Sequence, residues 1–165
     1  MLKNNYREES ISHRLALHID DLIRNNPKYQ DMYVDIEYGK GADGNERAGK
    51  YFDDPNKNIR LDLVVSSRVY DDLYGYHNLI CVEIKKQSNR RNQAWEKDQL
   101  RLQQLTSLDR GGRSLYGYFV GFFIVINEEE MRIEKAYDQK GEIPKDDMGG
   151  IYIPDNRYTA LYWEE

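Results

Sequence analysis

The feature that most constrains the fold is residues 116–126, the most continuously apolar run in the chain. A strand without polar alternation is typical of a sheet interior with both faces covered, so this run predicts a central strand. Residues 79–86 form another apolar strand-like run, and residues 92–108 between the two carry mixed apolar and charged residues typical of a helix. A crossover through a helix places its two strands parallel in one sheet. The sequence therefore predicts an α/β fold with a parallel strand pair at its centre.

The remaining segments complete a single mixed sheet flanked by helices. Apolar residues at spacings of three and four predict an amphipathic helix over residues 6–24, with the stripe Ile11, Leu15, Ile19, Leu22 and Ile23. Alternation predicts strands at residues 32–38 and 59–66, a turn region at residues 71–77, and an edge strand at residues 131–137. We expect one domain, residues 1–165, in the order α-β-β-β-α-β followed by the edge strand.

Two segments carry less structural information. Residues 40–58 are polar and glycine-rich, and they predict either a functional loop or a poorly ordered one. The tail from Gly141 has no predicted place in the sheet.

Composition narrows the environment and the class of partner. Cys81 is the only cysteine in 165 residues, which excludes an intrachain disulfide and favours a reducing compartment. The first residues lack the apolar stretch of a secretory signal, and no window approaches a membrane span, so we expect a soluble cytoplasmic protein without membrane contact. A net charge of −5 counts against non-specific coating of duplex nucleic acid but leaves room for a carboxylate-based metal site.

Three charged residues interrupt the predicted strands. Asp62 lies between leucines, and Glu83 lies between Val82 and Ile84. Strand alternation puts Glu83 and Lys85 on one face, about 7 Å apart along the strand. If the second and third strands pair antiparallel, Asp62 falls opposite or diagonal to Glu83, and the two acids repel unless a divalent metal lies between them.

This arrangement predicts a chemistry, although a simpler interpretation exists. Asp62 and Glu83, with a backbone carbonyl, are hard oxygen ligands for Mg²⁺, which would polarise a phosphodiester and acidify a water. Lys85 would orient that water or stabilise the transition state. Alternatively, Glu83 and Lys85 form an ordinary surface ion pair on a solvated strand face.

The pattern Arg-Leu-Asp-Leu-Val-Val at residues 60–65, followed by Val-Glu-Ile-Lys-Lys at residues 82–86, resembles the PD-(D/E)xK nuclease superfamily. Leu61 stands where the proline that gives the superfamily its name would be. The resemblance implies a restriction-endonuclease-like fold in which Asp62, Glu83 and the carbonyl of Ile84 bind Mg²⁺, with Mn²⁺ as a substitute. It also implies that Lys85 is the catalytic lysine and that DNA is the substrate.

The same resemblance implies a glutamate on the first helix, for which Glu8 and Glu9 are the candidates. At 100° per residue, Glu8 lies about 20° from Leu15, on the side that faces the sheet, whereas Glu9 points away. Glu8 is therefore the predicted fourth site residue. A favourable negative charge at a helix N-terminus explains the same residue without any catalytic role.

On the second helix, Lys97, Gln99 and Arg101 could line a phosphate track, although a solvated helix face explains each of them better.

Three functions follow. The first is a Mg²⁺-dependent endonuclease that hydrolyses phosphodiester bonds of DNA, as a homodimer if it cuts both strands of a duplex. The second is a nucleic-acid or protein interaction module that keeps the fold without turnover. The third is a structural domain in which Asp62, Glu83 and Lys85 form an ion network.

Overall fold

The computed structural model describes residues 7–38, 61–71, 75–89, 92–107, 118–127 and 130–146. Two α-helices and six strands lie in these ranges: α1 (Glu8–Arg24), β1 (Tyr33–Tyr38), β2 (Leu61–Asp71), β3 (Gly75–Lys86), α2 (Asn92–Thr106), β4 (Tyr118–Ile126), β5 (Met131–Asp138) and β6 (Gly141–Glu142). The predicted order of helices and strands is confirmed. The predicted loop at residues 40–58 lies outside the described residues, as does the tail beyond residue 146.

The strands form one mixed sheet in which spatial order follows chain order. β3 and β4 are the parallel pair, joined through α2, and Glu83 lies beside Phe123. The other neighbours are antiparallel, including β2 and β3, where Val64 faces Cys81. The predicted parallel pair is confirmed, and the antiparallel pairing of β2 with β3, which was the condition for Asp62 to lie near Glu83, is present.

Each helix covers one face of the sheet. Because side chains alternate along a strand, Cys81, Phe123 and Val125 pack with α2, whereas Val82 and Ile84 pack on the opposite side with α1. The central strand β4 is buried along most of its length, as its apolar run predicts. Glu83 and Lys85 therefore belong to the face that α2 covers.

Gly121 allows α2 to lie close to the sheet. A β-carbon at this position would lie 3.2 Å from Cys81 Sγ and 3.3 Å from Leu102 Cβ. The short distance between α2 and β4 brings polar residues of α2 within reach of the end of β3.

Three details differ from the predictions. Leu22 is 70% exposed, because the buried side of α1 runs through Ser12, Leu15, Ile19 and Ile23, and Leu22 is rotated by about 100° from that line. Most of the predicted turn at residues 71–77 is strand, since β2 extends to Asp71, β3 begins at Gly75, and these two residues pair. β5 is not the last strand of the sheet, because Gly141–Glu142 pairs with its end.

No helix in the described part of the chain is long and apolar enough to cross a membrane.

Candidate functional site

The candidate site begins where β2 stops pairing with β3. Within the described residues, the last paired positions at this end are Leu63 and Val82. Beyond that point the backbone N–H of Ile84 donates to a side chain, the Oδ2 atom of Asp62, at 2.7 Å. Asp62 thus replaces the strand carbonyl that would accept this hydrogen bond in a continued ladder.

Glu8 does the same one step further along. Its Oε1 atom accepts a hydrogen bond from the backbone N–H of Lys86 at 2.9 Å. Residues two apart on a strand point their N–H groups to the same side, so Asp62 and Glu8 lie side by side along one edge of β3. The prediction that Glu8 faces the sheet is confirmed, and Glu9 is exposed as expected.

Glu83 lies on the α2 face and is 1% exposed. Its Oε2 atom lies 3.3 Å from Lys85 Nζ, and its Oε1 atom lies 2.7 Å from a terminal nitrogen of Arg101. Burial of an unpaired carboxylate is costly, and these two cations compensate it.

The carboxylate of Asp98, on α2, contacts both Lys85 and Arg101. One carboxylate oxygen lies 3.2 Å from Lys85 Nζ and the other lies 3.1 Å from Arg101. Glu83, Lys85, Asp98 and Arg101 therefore form a closed set of alternating charges, which we call the charged ring. It is built from β3 and α2, and Glu83 is its most buried member.

The surroundings of the site raise the pKa values of the carboxyl groups of Glu83 and Asp62. Burial raises the pKa of Glu83 to about 7, against the opposing effect of Lys85 and with a further rise from the neighbouring charge of Asp62. Burial also raises the pKa of Asp62, although the Ile84 N–H and Lys85 oppose this. Burial therefore favours the neutral form of both carboxyl groups. An additional cation beside them would favour the charged form instead.

The pKa of Lys85 is also raised, but for a different reason. Its burial lowers its pKa, but the carboxylates of Glu83, Asp98 and Asp62 outweigh that effect, so the pKa is raised. Lys85 is therefore a cation at neutral pH and acts as a hydrogen-bond donor and positive charge. It is not a proton acceptor.

The structure thus brings Asp62, Glu83 and Lys85 together and adds Glu8 beside Asp62. Arg101 lies in the charged ring, so the expectation of a solvated helix face is wrong for this residue, whereas Lys97 is exposed. Asp98 is the site residue that the sequence interpretation missed. The signal was present, because Asp98 continues the buried stripe of Trp95, Leu102 and Leu105 at spacings of three, four and three.

The donor chemistry fits a hard divalent cation. Asp62 and Glu83 provide carboxylate oxygens, and the Ile84 carbonyl points to the same strand edge as its N–H, which Asp62 accepts. Among the described residues, however, no three His, Cys, Asp or Glu side chains form a ready-made metal-binding group. Both oxygens of Glu83 already contact a cation, so an incoming metal ion uses a remaining lone pair of the carboxylate and lies close to a positive charge that it repels.

Comparison of the chain with protein-family models, with curated proteins and with solved structures finds no match in any of the three.

Proposed function

We propose that this protein is a divalent-metal-dependent nuclease of the PD-(D/E)xK type that hydrolyses phosphodiester bonds of DNA on a restriction-endonuclease-like fold. The observation that carries the proposal is Glu83, a carboxyl group buried beside Asp62 and Lys85 where two strands separate. Strongly perturbed acids beside a specific cation are concentrated at catalytic sites, because acid, base and metal-binding roles require shifted pKa values.

Each residue has a role that its contacts support. Asp62 and Glu83, with the Ile84 carbonyl, would hold Mg²⁺ or Mn²⁺, and the bound ion supplies Lewis-acid polarisation of the phosphodiester and acidifies a water. Asp62 is oriented by its 2.7 Å hydrogen bond to the Ile84 N–H, which limits its rotation. Glu8, fixed on the N–H of Lys86, adds negative charge beside Asp62.

Lys85 provides the positive charge. Because its pKa is raised, it stays protonated and donates to the attacking water or to an oxygen of the scissile phosphate, where negative charge grows in the transition state. Asp98 keeps the ammonium group in place from the α2 side, at 3.2 Å.

The test is cleavage of supercoiled and linear DNA in Mg²⁺, Mn²⁺ or EDTA. We expect metal-dependent cleavage by the wild type and a loss of about 100-fold or more in Asp62→Asn, Glu83→Gln and Lys85→Ala, the range for removing a group that acts in the transition state. Glu9→Gln and Lys140→Ala are matched controls, because both side chains are exposed. Absence of any metal-dependent cleavage by the folded wild type would refute the proposal.

Metal binding can be measured separately by thermal shift. A cation that binds only the folded protein stabilises it by about 2.7 kcal/mol at 100 times its dissociation constant. We expect this effect in the wild type and not in Asp62→Asn.

A catalytically inactive module of the same fold is the second candidate. The closed charged ring favours it, because each ring member already has an opposite charge within 3.3 Å. Metal-independent binding of DNA without cleavage, combined with a loss of folding rather than of metal response in the ring variants, is the expected result for such a module.

We also propose a cytoplasmic location and, for cleavage of both duplex strands, a homodimer. The presence of a single cysteine, which leaves the chain without an intrachain disulfide, supports a reducing compartment. The oligomeric state is measured by sedimentation of the protein alone and with a duplex oligonucleotide.

A further inference from the structure

Arg101 is the cation that makes the shortest contact with Glu83. The distance from its terminal nitrogen to Glu83 Oε1 is 2.7 Å, against 3.3 Å from Lys85 Nζ to Oε2. A metal ion that binds a free lone pair of Glu83 therefore lies close to these two cations, and the repulsion between them favours the departure of one.

We propose that Arg101 is the resident counter-cation of Glu83, which a divalent metal ion displaces, and that the released guanidinium then binds the substrate phosphate. This inference rests on the proposed function. It assigns Arg101 two successive partners, Glu83 before the metal binds and a phosphodiester oxygen afterwards.

The geometry selects Arg101 over Lys85 as the cation that leaves. Lys85 is on the same strand as Glu83, two residues away, and its side chain is 22% exposed, whereas that of Arg101 is 30% exposed and starts from α2. The side chain of Arg101 is long and has its own partner one helical turn away, Asp98, at 3.1 Å. Both cations keep Asp98 as a partner, at 3.1 Å for Arg101 and 3.2 Å for Lys85, so the greater exposure of Arg101 and its origin on α2 single it out as the cation that leaves.

Exchange also keeps the charge of the site in balance. A buried carboxylate without a cation is costly, so Glu83 needs Arg101 when no metal is bound. A divalent ion brings more charge than the guanidinium and would repel it. The planar guanidinium, with its forked donors, is suited to a pair of phosphate oxygens. The phosphate then provides the negative partner that Arg101 loses when it leaves Glu83.

The competition predicts an unusual result for a variant that removes a basic residue from a binding site. We expect Arg101→Gln to bind Mn²⁺ about fivefold more tightly than the wild type, or better, because the metal no longer has to displace a cation; a factor of five corresponds to about 1 kcal/mol. The same variant should bind a DNA oligonucleotide more weakly in the presence of metal.

The experiment is calorimetric titration of Mn²⁺ into the metal-free full chain. Lys97→Gln is the matched control, because it removes one positive charge from the exposed side of the same helix. We expect its Mn²⁺ affinity to stay within about twofold of the wild type, a difference of about 0.4 kcal/mol. Arg101→Met repeats the test with the apolar stem retained, should Arg101→Gln fail to fold.

The outcomes separate the two proposals. Tighter Mn²⁺ binding by the Arg101 variants than by Lys97→Gln supports the exchange. Equal or weaker binding, with the wild type still binding Mn²⁺, overturns the role of Arg101 and leaves the proposed nuclease intact. Failure of the wild type and the Arg101 variants alike to bind Mn²⁺ removes the metal site and both proposals with it.

Discussion

Replacement of Glu83 by glutamine should change how the stability of the metal-free protein depends on pH. Burial holds the pKa of Glu83 at about 7 in the folded state, against an ordinary value of 4.5. Between these two values the folded state binds more protons than the unfolded state, so the free energy of unfolding falls as the pH rises. The fall begins near pH 4.5 and is complete above pH 7.

The magnitude follows from the two pKa values. At 1.36 kcal/mol per pKa unit, the difference between 4.5 and about 7 corresponds to about 3 kcal/mol of stability that is present at low pH and lost at high pH. A glutamine cannot ionise, so Glu83→Gln lacks this loss. The difference in unfolding free energy, variant minus wild type, should therefore rise by about 3 kcal/mol from pH 4.5 to pH 8.

The assay is urea denaturation at several pH values, followed by circular dichroism, in buffers that contain EDTA so that no divalent ion binds Glu83. Glu9→Gln, at an exposed position on α1, reports any general effect of the substitution. A flat difference would refute the argument that burial dominates. A difference that falls with pH would show that the ion pairs with Arg101 and Lys85 outweigh burial.

Substitutions at three further positions test the packing and the strand edge, each by its urea midpoint. Asp62→Ala should lower the free energy of unfolding by about 1–3 kcal/mol because the Ile84 N–H loses its acceptor, whereas Asp62→Asn keeps a carbonyl oxygen there and should cost less than half as much; equal losses would contradict this. Glu8→Ala should cost about 0.5–1.5 kcal/mol, with Glu8→Gln close to wild type, and the reverse order would contradict the hydrogen bond to β3. Gly121→Ala should cost about 1–3 kcal/mol, because the added β-carbon meets the side chains of Cys81 and α2 at 3.2–3.4 Å; a neutral result would show that α2 moves freely away from the sheet.

The sequence was sufficient for those features that depend on periodicity. The apolar run of β4 and the helix before it predicted the parallel pair, and alternation along β3 put Glu83 and Lys85 on one face. These predictions are confirmed because burial of apolar side chains dominates the placement of strands.

Other features depend on distances between elements that a single sequence does not contain. Asp98 and Arg101 meet Glu83 because Gly121 lets α2 lie close to β4, and the sequence gives no measure of that separation. The hydrogen bond from the Ile84 N–H to Asp62 could not be predicted either, since it depends on where β2 stops pairing with β3. The residue types of the site were therefore predictable, but their pairing was not.

The separation of β2 from β3 has a consequence for self-association. A strand that loses its neighbour presents N–H groups that can pair with a strand of another molecule, which is a common route to aggregation. On β3, carboxylates of Asp62 and Glu8 cover two successive N–H groups of this kind, at residues 84 and 86. Their negative charge also repels a second copy, so the proposed metal ligand Asp62 and its neighbour Glu8 also protect the protein from edge-to-edge pairing.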